Sequence, residues 1–487
     1  MSASRTTVAL AALLAVAVAG PALDGADADP QRRGARRRPA AEPAPAQPPD
    51  RSTEAAAPQP AAEPEPPPAA GLYVGPSTCA SATCHGATVP RDVFGVLQNE
   101  FFTWRDEDRH ARAFEVLGNE RSRAIAANLR LPRPAYESRL CLDCHTLAPP
   151  AELRGERFRA DDGISCEACH GPASGWLRDH HVAEGWSRDD SLAAGLVDLS
   201  HPARRAEVCL ACHDGAGERR VDHRLLAAGH PQLVFELDNF AADMPPHWPP
   251  PRQYGDERAA AVAAGRGAGA WAVGQAASFR AGLELLAAQA GAGAWPEFTA
   301  MRCNDCHHSL TERRWLGEAG GRQPLGLPRW SPARWAVLRH LVGAFAPGAR
   351  GDLDRRVAAL ADGVSRFAPA SEVAAEARAA AAALDAVTAD LAAVRWDDAR
   401  LSSMLLALAA DRGAVAGGDR ETAEQVFLAL NTLTSELLQR RSELASGPLI
   451  GGLDAMARTL DDPYDFDHRR FADHLERFEA QARSALR

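Results

Sequence analysis

Ten cysteines fall in five pairs, and a histidine follows each pair: Cys79 and Cys84 before His85 ("CASATCH"), Cys141 and Cys144 before His145 ("CLDCH"), Cys166 and Cys169 before His170 ("CEACH"), Cys209 and Cys212 before His213 ("CLACH"), Cys303 and Cys306 before His307 ("CNDCH"). Thiol pairs can form a disulfide framework or hold zinc. Neither chemistry requires the histidine. It is only 16 of 487 residues, so five such successions by chance have odds below about one in a million. Covalent attachment of haem c does require the arrangement, because the two thiols add to the porphyrin vinyl groups and the next side chain is carried beneath the iron as its proximal ligand. The expectation is therefore five covalently bound haem c groups, with the ten cysteines as attachment points and His85, His145, His170, His213 and His307 as iron ligands. The first pair has four intervening residues instead of two. It is read as a variant of the same site.

A second axial ligand decides whether an iron only carries electrons or also meets substrate. Among the remaining histidines, His110, His180, His181, His223, His230 and His247 lie between the motifs in stretches dense with aromatics, proline and glycine, and are the distal candidates. His308 directly follows a proximal ligand and cannot reach the other face of the same iron. His340, His468 and His474 lie in the C-terminal helical part and read as solvated or satisfied side chains. The chain contains no lysine. A lysine-ligated haem and Schiff-base chemistry are thereby excluded.

The order "TCASATCHG", "FFTWRDEDRHARAFEVL" (101–117), "CLDCH", "GISCEACHGPASGWLRDHH" (163–181), "EVCLACH" (207–213) resembles the tetrahaem cytochrome c-554 family over about residues 72 to 235. That family carries electrons in ammonia oxidisers and is related in haem arrangement to hydroxylamine oxidoreductase and multihaem nitrite reductases. The resemblance implies His180 as distal partner of His85, His110 of His213, and a residue downstream of the fourth motif for His170, His223 or His230, with His230 preferred. It also implies a five-coordinate second haem, which makes the iron above His145 the candidate open site. The longer first motif, the fifth motif and the C-terminal extension depart from the family. A histidine such as His223 or His247 can therefore close the second or fifth haem.

Elements must hold these motifs in place. Residues 278–298 and most of 332–487 show helical spacing of apolar residues, with Ser331 as an N-cap and Pro332 at the first helical position. The fold class expected is mainly α: a loop-rich multihaem region at 71–320, then a bundle of four to six helices at 328–487. Trp315, Trp330 and Trp335 mark the seam between them. Upstream, residues 1–28 read as a signal peptide and the Pro/Ala-rich residues 29–70 as a disordered linker.

The formal net charge is −10, and the one basic run lies in the linker, so nucleic acid is not an expected partner. No stretch of the mature chain reaches the roughly 20 apolar residues of a spanning helix, which leaves peripheral association with a membrane open. The preferred function is relay of single electrons between redox partner proteins in a periplasmic or other extracytoplasmic compartment, as an electron-transfer protein rather than an enzyme. The alternative is a multihaem oxidoreductase acting on a small nitrogen or sulfur compound at an open haem.

Overall fold

The computed structural model describes residues 71–487, except 92–95, 183, 218, 249–265, 294, 308–326, 332, 417–418 and 463–465. The signal and linker segments, His308, Trp315 and Pro332 lie outside the described residues. The protein is mainly α, with a loop-rich first half and a helical C-terminal part; among the described residues only isolated β-bridges occur.

Short helices punctuate the first half: α1 Glu100–Glu107, α2 Glu120–Asn128, α3 Arg139–His145, α4 Cys166–His170, α5 Arg188–Ala193, α6 Pro202–Leu210, α7 His223–Ala227 and α8 Leu237–Asp243. Several start where a side chain replaces the missing helical acceptor: Asn119 accepts from Ser122 N at 2.8 Å, and Asp222 from Leu225 N at 2.8 Å. Ser187 and Asp190 form a reciprocal capping box at α5. Helices this short are marginal alone. Their apolar faces are small, and the cofactor chemistry described below must supply much of what they pack against.

The second half is built on α9 Ala268–Gly291, followed by α10 Ala333–Phe345, α11 Pro347–Ser365, α12 Ala370–Ala382, α13 Leu384–Ala392, α14 Asp398–Ala410, α15 Arg412–Ala416, α16 Arg420–Arg440, α17 Leu449–Ala457 and α18 His468–Ala485. Helix α9 begins ten residues before the sequence reading placed it. Its first turns, "AGAWAVGQAA", are apolar or small on every side, so they carry no amphipathic period; a helix apolar all round is a buried one. Trp271, Ala272 and Ala276 are fully buried there. From residue 333 onward the described residues form nine α-helices, not four to six, because proline and aspartate break the apolar runs at 347, 369, 397, 411 and 419.

Residues 70–487 form one compact unit. Helix α9 packs most extensively on α12, then on α6 and α13. The α8–α9 approach depends on Gly274, where a Cβ would lie 2.7 Å from that of Leu237. A buried polar knot ties α8 to α16: Asn239 Nδ2 donates to Leu428 O at 3.1 Å and contacts Thr432 Oγ1 at 2.9 Å, while Asn431 Nδ2 donates to Asn239 Oδ1 at 2.7 Å. Removing Asn239 strands partners that water cannot reach. Asn239→Ala is expected to lower stability by about 2–3 kcal/mol, read by denaturant unfolding of the holoprotein, with no change in haem content.

Candidate haem-binding sites

Two of the CxxCH motifs lie entirely within single helical turns. In α3 and α4 the first cysteine and the histidine are four residues apart, with the second cysteine three on, so all three side chains share one face. In the fourth motif Cys209 lies in the last turn of α6, and Cys212 and His213 follow in a π-helical turn, Ala211–Gly215. The fifth starts a 3-10 turn, Cys303–Asp305, with His307 N donating to Cys303 O at 2.7 Å. The longer first motif reaches the same closure by a different route: His85 N donates to Cys79 O at 3.2 Å and Gly86 N to Ser81 O at 2.9 Å. Only glycine fits at 86, since a Cβ would sit 1.9 Å from Ala80 O.

Loops then bring distant histidines opposite these motifs. The ring centroids of His85 and His180 are 6.5 Å apart with planes at 7°, those of His110 and His213 6.1 Å apart at 87°, those of His145 and His230 6.4 Å apart at 84°, and those of His223 and His307 6.1 Å apart at 36°. Two imidazoles bound through Nε2 to opposite faces of one iron, at about 2 Å each, place their centroids about 6 Å apart. The four pairs have the span that a six-coordinate haem iron requires.

The other ring nitrogens are engaged as metal-bound histidines require. His85 Nδ1 faces Glu100 Oε2 at 3.0 Å and His110 Nδ1 faces Asp108 Oδ1 at 2.9 Å. His145, His180, His230 and His247 donate from Nδ1 to Ala113 O, Leu177 O, Pro231 O and Pro245 O at 2.9, 2.6, 2.8 and 3.3 Å. An acceptor at Nδ1 fixes the tautomer and leaves the Nε2 lone pair for iron. His340 is turned the other way, with Nε2 on Asp411 at 2.7 Å, and serves the fold.

Electrostatics divide the ligands into two kinds. Burial pushes His170 and His213 down to about 4, keeping each imidazole neutral, the form that binds a metal. His85 and His110 are instead raised, each chiefly by its hydrogen-bonded carboxylate. Asp108 and Glu100 remain below the usual carboxylate range because those same histidine bonds, with backbone donors, outweigh the burial that opposes their charge. A carboxylate on Nδ1 strengthens the imidazole as an iron donor.

No disulfide joins the ten cysteines, and thiols of different motifs lie close together, Cys79 by Cys166 and Cys144 by Cys212. Motifs one and three therefore adjoin, as do two and four. Among the described residues no three or more His, Cys, Asp or Glu side chains converge as a bare metal ion would need. The donors come in facing pairs, which suits haem rather than tetrahedral zinc.

Beside the fifth motif lies a cleft that is open in part to solvent. Cys303 from the motif, Leu226 from the turn after His223, Phe279 and Leu286 from α9, Trp330, and Arg334 from α10 line it. Trp335 stacks on Phe279 at 5.7 Å. Arg334 pairs with Asp214 at 2.8 Å, yet its Nη1 is buried with no hydrogen-bond partner. A cleft of mixed polarity with an attachment thiol at its rim, aromatic and aliphatic walls and a buried guanidinium nitrogen suits a porphyrin edge and a propionate.

The structure brings His180 to His85 and His110 to His213, following the family order. His230, preferred for His170 on the resemblance, lies instead against His145, the position held open as the candidate catalytic iron. The chain turns back after α7 through Gly229, at φ +113°, with His230 N bonded to Leu225 O, and this aims the ring at His145. His223 faces His307. His170 is partly buried, and after burial the positive charge of His247 is what most lowers it. His181 bonds the same carbonyl as His180. Glu100 and Asp108 were not singled out in the sequence; the Asp-x-His spacing of 108–110 is a readable local turn, whereas nothing near Glu100 announces its bond to His85.

Cysteine pairs each followed by histidine, second histidines facing four of them, and a helical, loop-rich scaffold mark a multihaem c-type cytochrome. Residues 78–171 match the model of the family described as cytochrome c554 and c-prime, which this part of the chain resembles. No curated protein and no solved structure is significantly similar to the chain. No described helix is long and apolar enough to cross a membrane.

Proposed function

We propose that the protein is an extracytoplasmic pentahaem cytochrome that relays single electrons between redox partner proteins, with every iron closed by two histidines. The observation that carries this reading is the set of four histidine pairs with centroids 6.1–6.5 Å apart. His85 pairs with His180, His145 with His230, His213 with His110, and His307 with His223. His247 is then the ligand left for His170. Covalent haem supplies reversible one-electron chemistry at low reorganisation.

The chain's own residues do the rest. They hold both axial positions, so no iron face is left for a substrate, and they orient each imidazole through its Nδ1 acceptor. The thiol contacts between motifs one and three and between two and four support a close-spaced path. The fifth site supports an exit, because Cys303 and Cys306 are the exposed cysteines of the ten. In this reading residues 71–320 bear the haems, 328–487 form the helical bundle that covers the fifth, 1–28 direct export and 29–70 act as a spacer.

His230 stands where an oxidoreductase would need a vacant face, which favours relay over catalysis at His145. Electron paramagnetic resonance of the fully oxidised holoprotein tests this. Five low-spin irons are expected; a high-spin iron that binds nitric oxide or hydroxylamine would overturn the reading.

A further inference from the structure

The wall of the fifth haem cleft contains a hydrogen-bonded chain whose geometry requires a proton. Ser331 Oγ lies 2.7 Å from Asp419 Oδ2 and 3.0 Å from Glu421 Oε2. A hydroxyl has one proton to give. It can donate to one carboxylate only, and a second, ionised oxygen at that distance would face a lone pair. Asp419 is the built acceptor: it caps α16, accepts from Glu421 N at 3.3 Å, and takes the Thr422 hydroxyl at 2.8 Å on the same oxygen that Ser331 approaches. All atoms are satisfied when Glu421 donates to Ser331 and Ser331 donates to Asp419. That arrangement needs a protonated Glu421.

Glu421 and Ser331 both line the cleft with Cys303. Resting on the five-haem reading above, we propose that Glu421 is the proton acceptor of the fifth haem site: when the haem attached at Cys303 and Cys306 between His223 and His307 gains one electron from a redox partner protein, the Glu421 carboxylate gains one proton from solvent. Charge is thereby balanced within the cleft. An added electron repels a neighbouring carboxylate, and protonation removes the repulsion.

The groups around Glu421 leave it available for this exchange. Burial, then Asp419, pushes it up to about 8, against Arg334 and the Ser331 hydrogen bond. Arg334 is committed to Asp214 in the turn after α6, Arg420 to Glu424 at 2.6 Å, and Arg329 to Asp305 at 2.6 Å, while Arg302 is close to Asp419. Glu424, on the same helix, is itself pushed up to about 7 by burial. Each named cation thus has a carboxylate of its own. A ferric iron–porphyrin core is positively charged and lowers the Glu421 value, whereas the ferrous core is neutral and leaves it near 8.

The test is a spectroelectrochemical titration of the holoprotein from roughly pH 6 to pH 9. One of five midpoint potentials is expected to fall as pH rises, by up to about 59 mV per tenfold drop in proton concentration, and to level off above about pH 8. Glu421→Gln, isosteric and neutral throughout, holds that midpoint at its acid plateau at every pH. The pH-dependent component is absent from Cys303→Ala/Cys306→Ala. In the unmodified protein, redox-difference infrared spectra show a protonated-carboxyl carbonyl band appearing on reduction, a readout that does not depend on any variant folding. Five haems by mass with no pH-dependent midpoint, with a dependence that survives Glu421→Gln, or with no carbonyl band, overturn the proposal alone. A mass of four haems overturns the five-haem reading and the proposal with it.

Discussion

Replacing His230 with alanine is expected to turn a haem that binds no external ligand into one that does. His230 faces His145 at 6.4 Å, and its Nδ1 proton goes to Pro231 O. The truncation removes one axial donor but no backbone contact, because Gly229 and the bond from His230 N to Leu225 O hold the turn without the side chain. One iron of five should become high-spin and bind nitric oxide, cyanide or hydroxylamine, with at least about a hundredfold gain in affinity over the unmodified protein. Its midpoint potential rises, since loss of an imidazole donor destabilises the ferric state more than the ferrous. Optical titration with nitric oxide reads the change. An unmodified protein that already binds the ligand at one iron, with no gain on substitution, would show that the facing of His230 and His145 does not close that site.

The largest structural effect is expected from removing the fifth attachment point. In Cys303→Ala/Cys306→Ala the thioethers cannot form, and the mass should fall by one haem. The cleft between α9, α10 and the turn after His223 then loses its filling. Phe279, Leu283 and Trp330 line that cleft, and a void left beside buried apolar side chains costs stability in proportion to its volume. The thermal midpoint of the helical part should fall by more than about 5 °C, while the spectra of the other four haems stay unchanged. Calorimetry alongside mass measurement separates the two effects. An unaltered transition would mean that α9 and α10 pack without help from a group in the cleft.

Much of the site is legible in the chain because covalent haem attachment is a local requirement: Cys141, Cys144 and His145 must lie within five residues, and each motif announces itself. Distal ligation is not local. Which of His223, His230 and His247 reaches which iron depends on how the chain turns after α7, and a single positive-φ glycine at 229 sends His230 toward His145 rather than His170. The helical extension is legible where its faces alternate, as in α12, and illegible where burial is complete, as in the first turns of α9. Glu100 and Asp108 reach their histidines through tertiary placement and a tight turn, with only the second leaving a trace in sequence spacing. Glu421 reads locally as an ordinary first-turn glutamate; its shared serine, 90 residues away, is supplied by the fold.

The most direct test of the account is low-temperature electron paramagnetic resonance of the fully oxidised holoprotein, with and without nitric oxide. Ring-plane angles near 90° at His110/His213 and His145/His230, against 7° at His85/His180, predict two strongly anisotropic low-spin signals beside an ordinary rhombic one. No high-spin iron and no nitric oxide adduct are expected. A high-spin signal that is quenched by nitric oxide would contradict the closed relay and return the iron above His145, the "CLDCH" site, to the role of a catalytic centre.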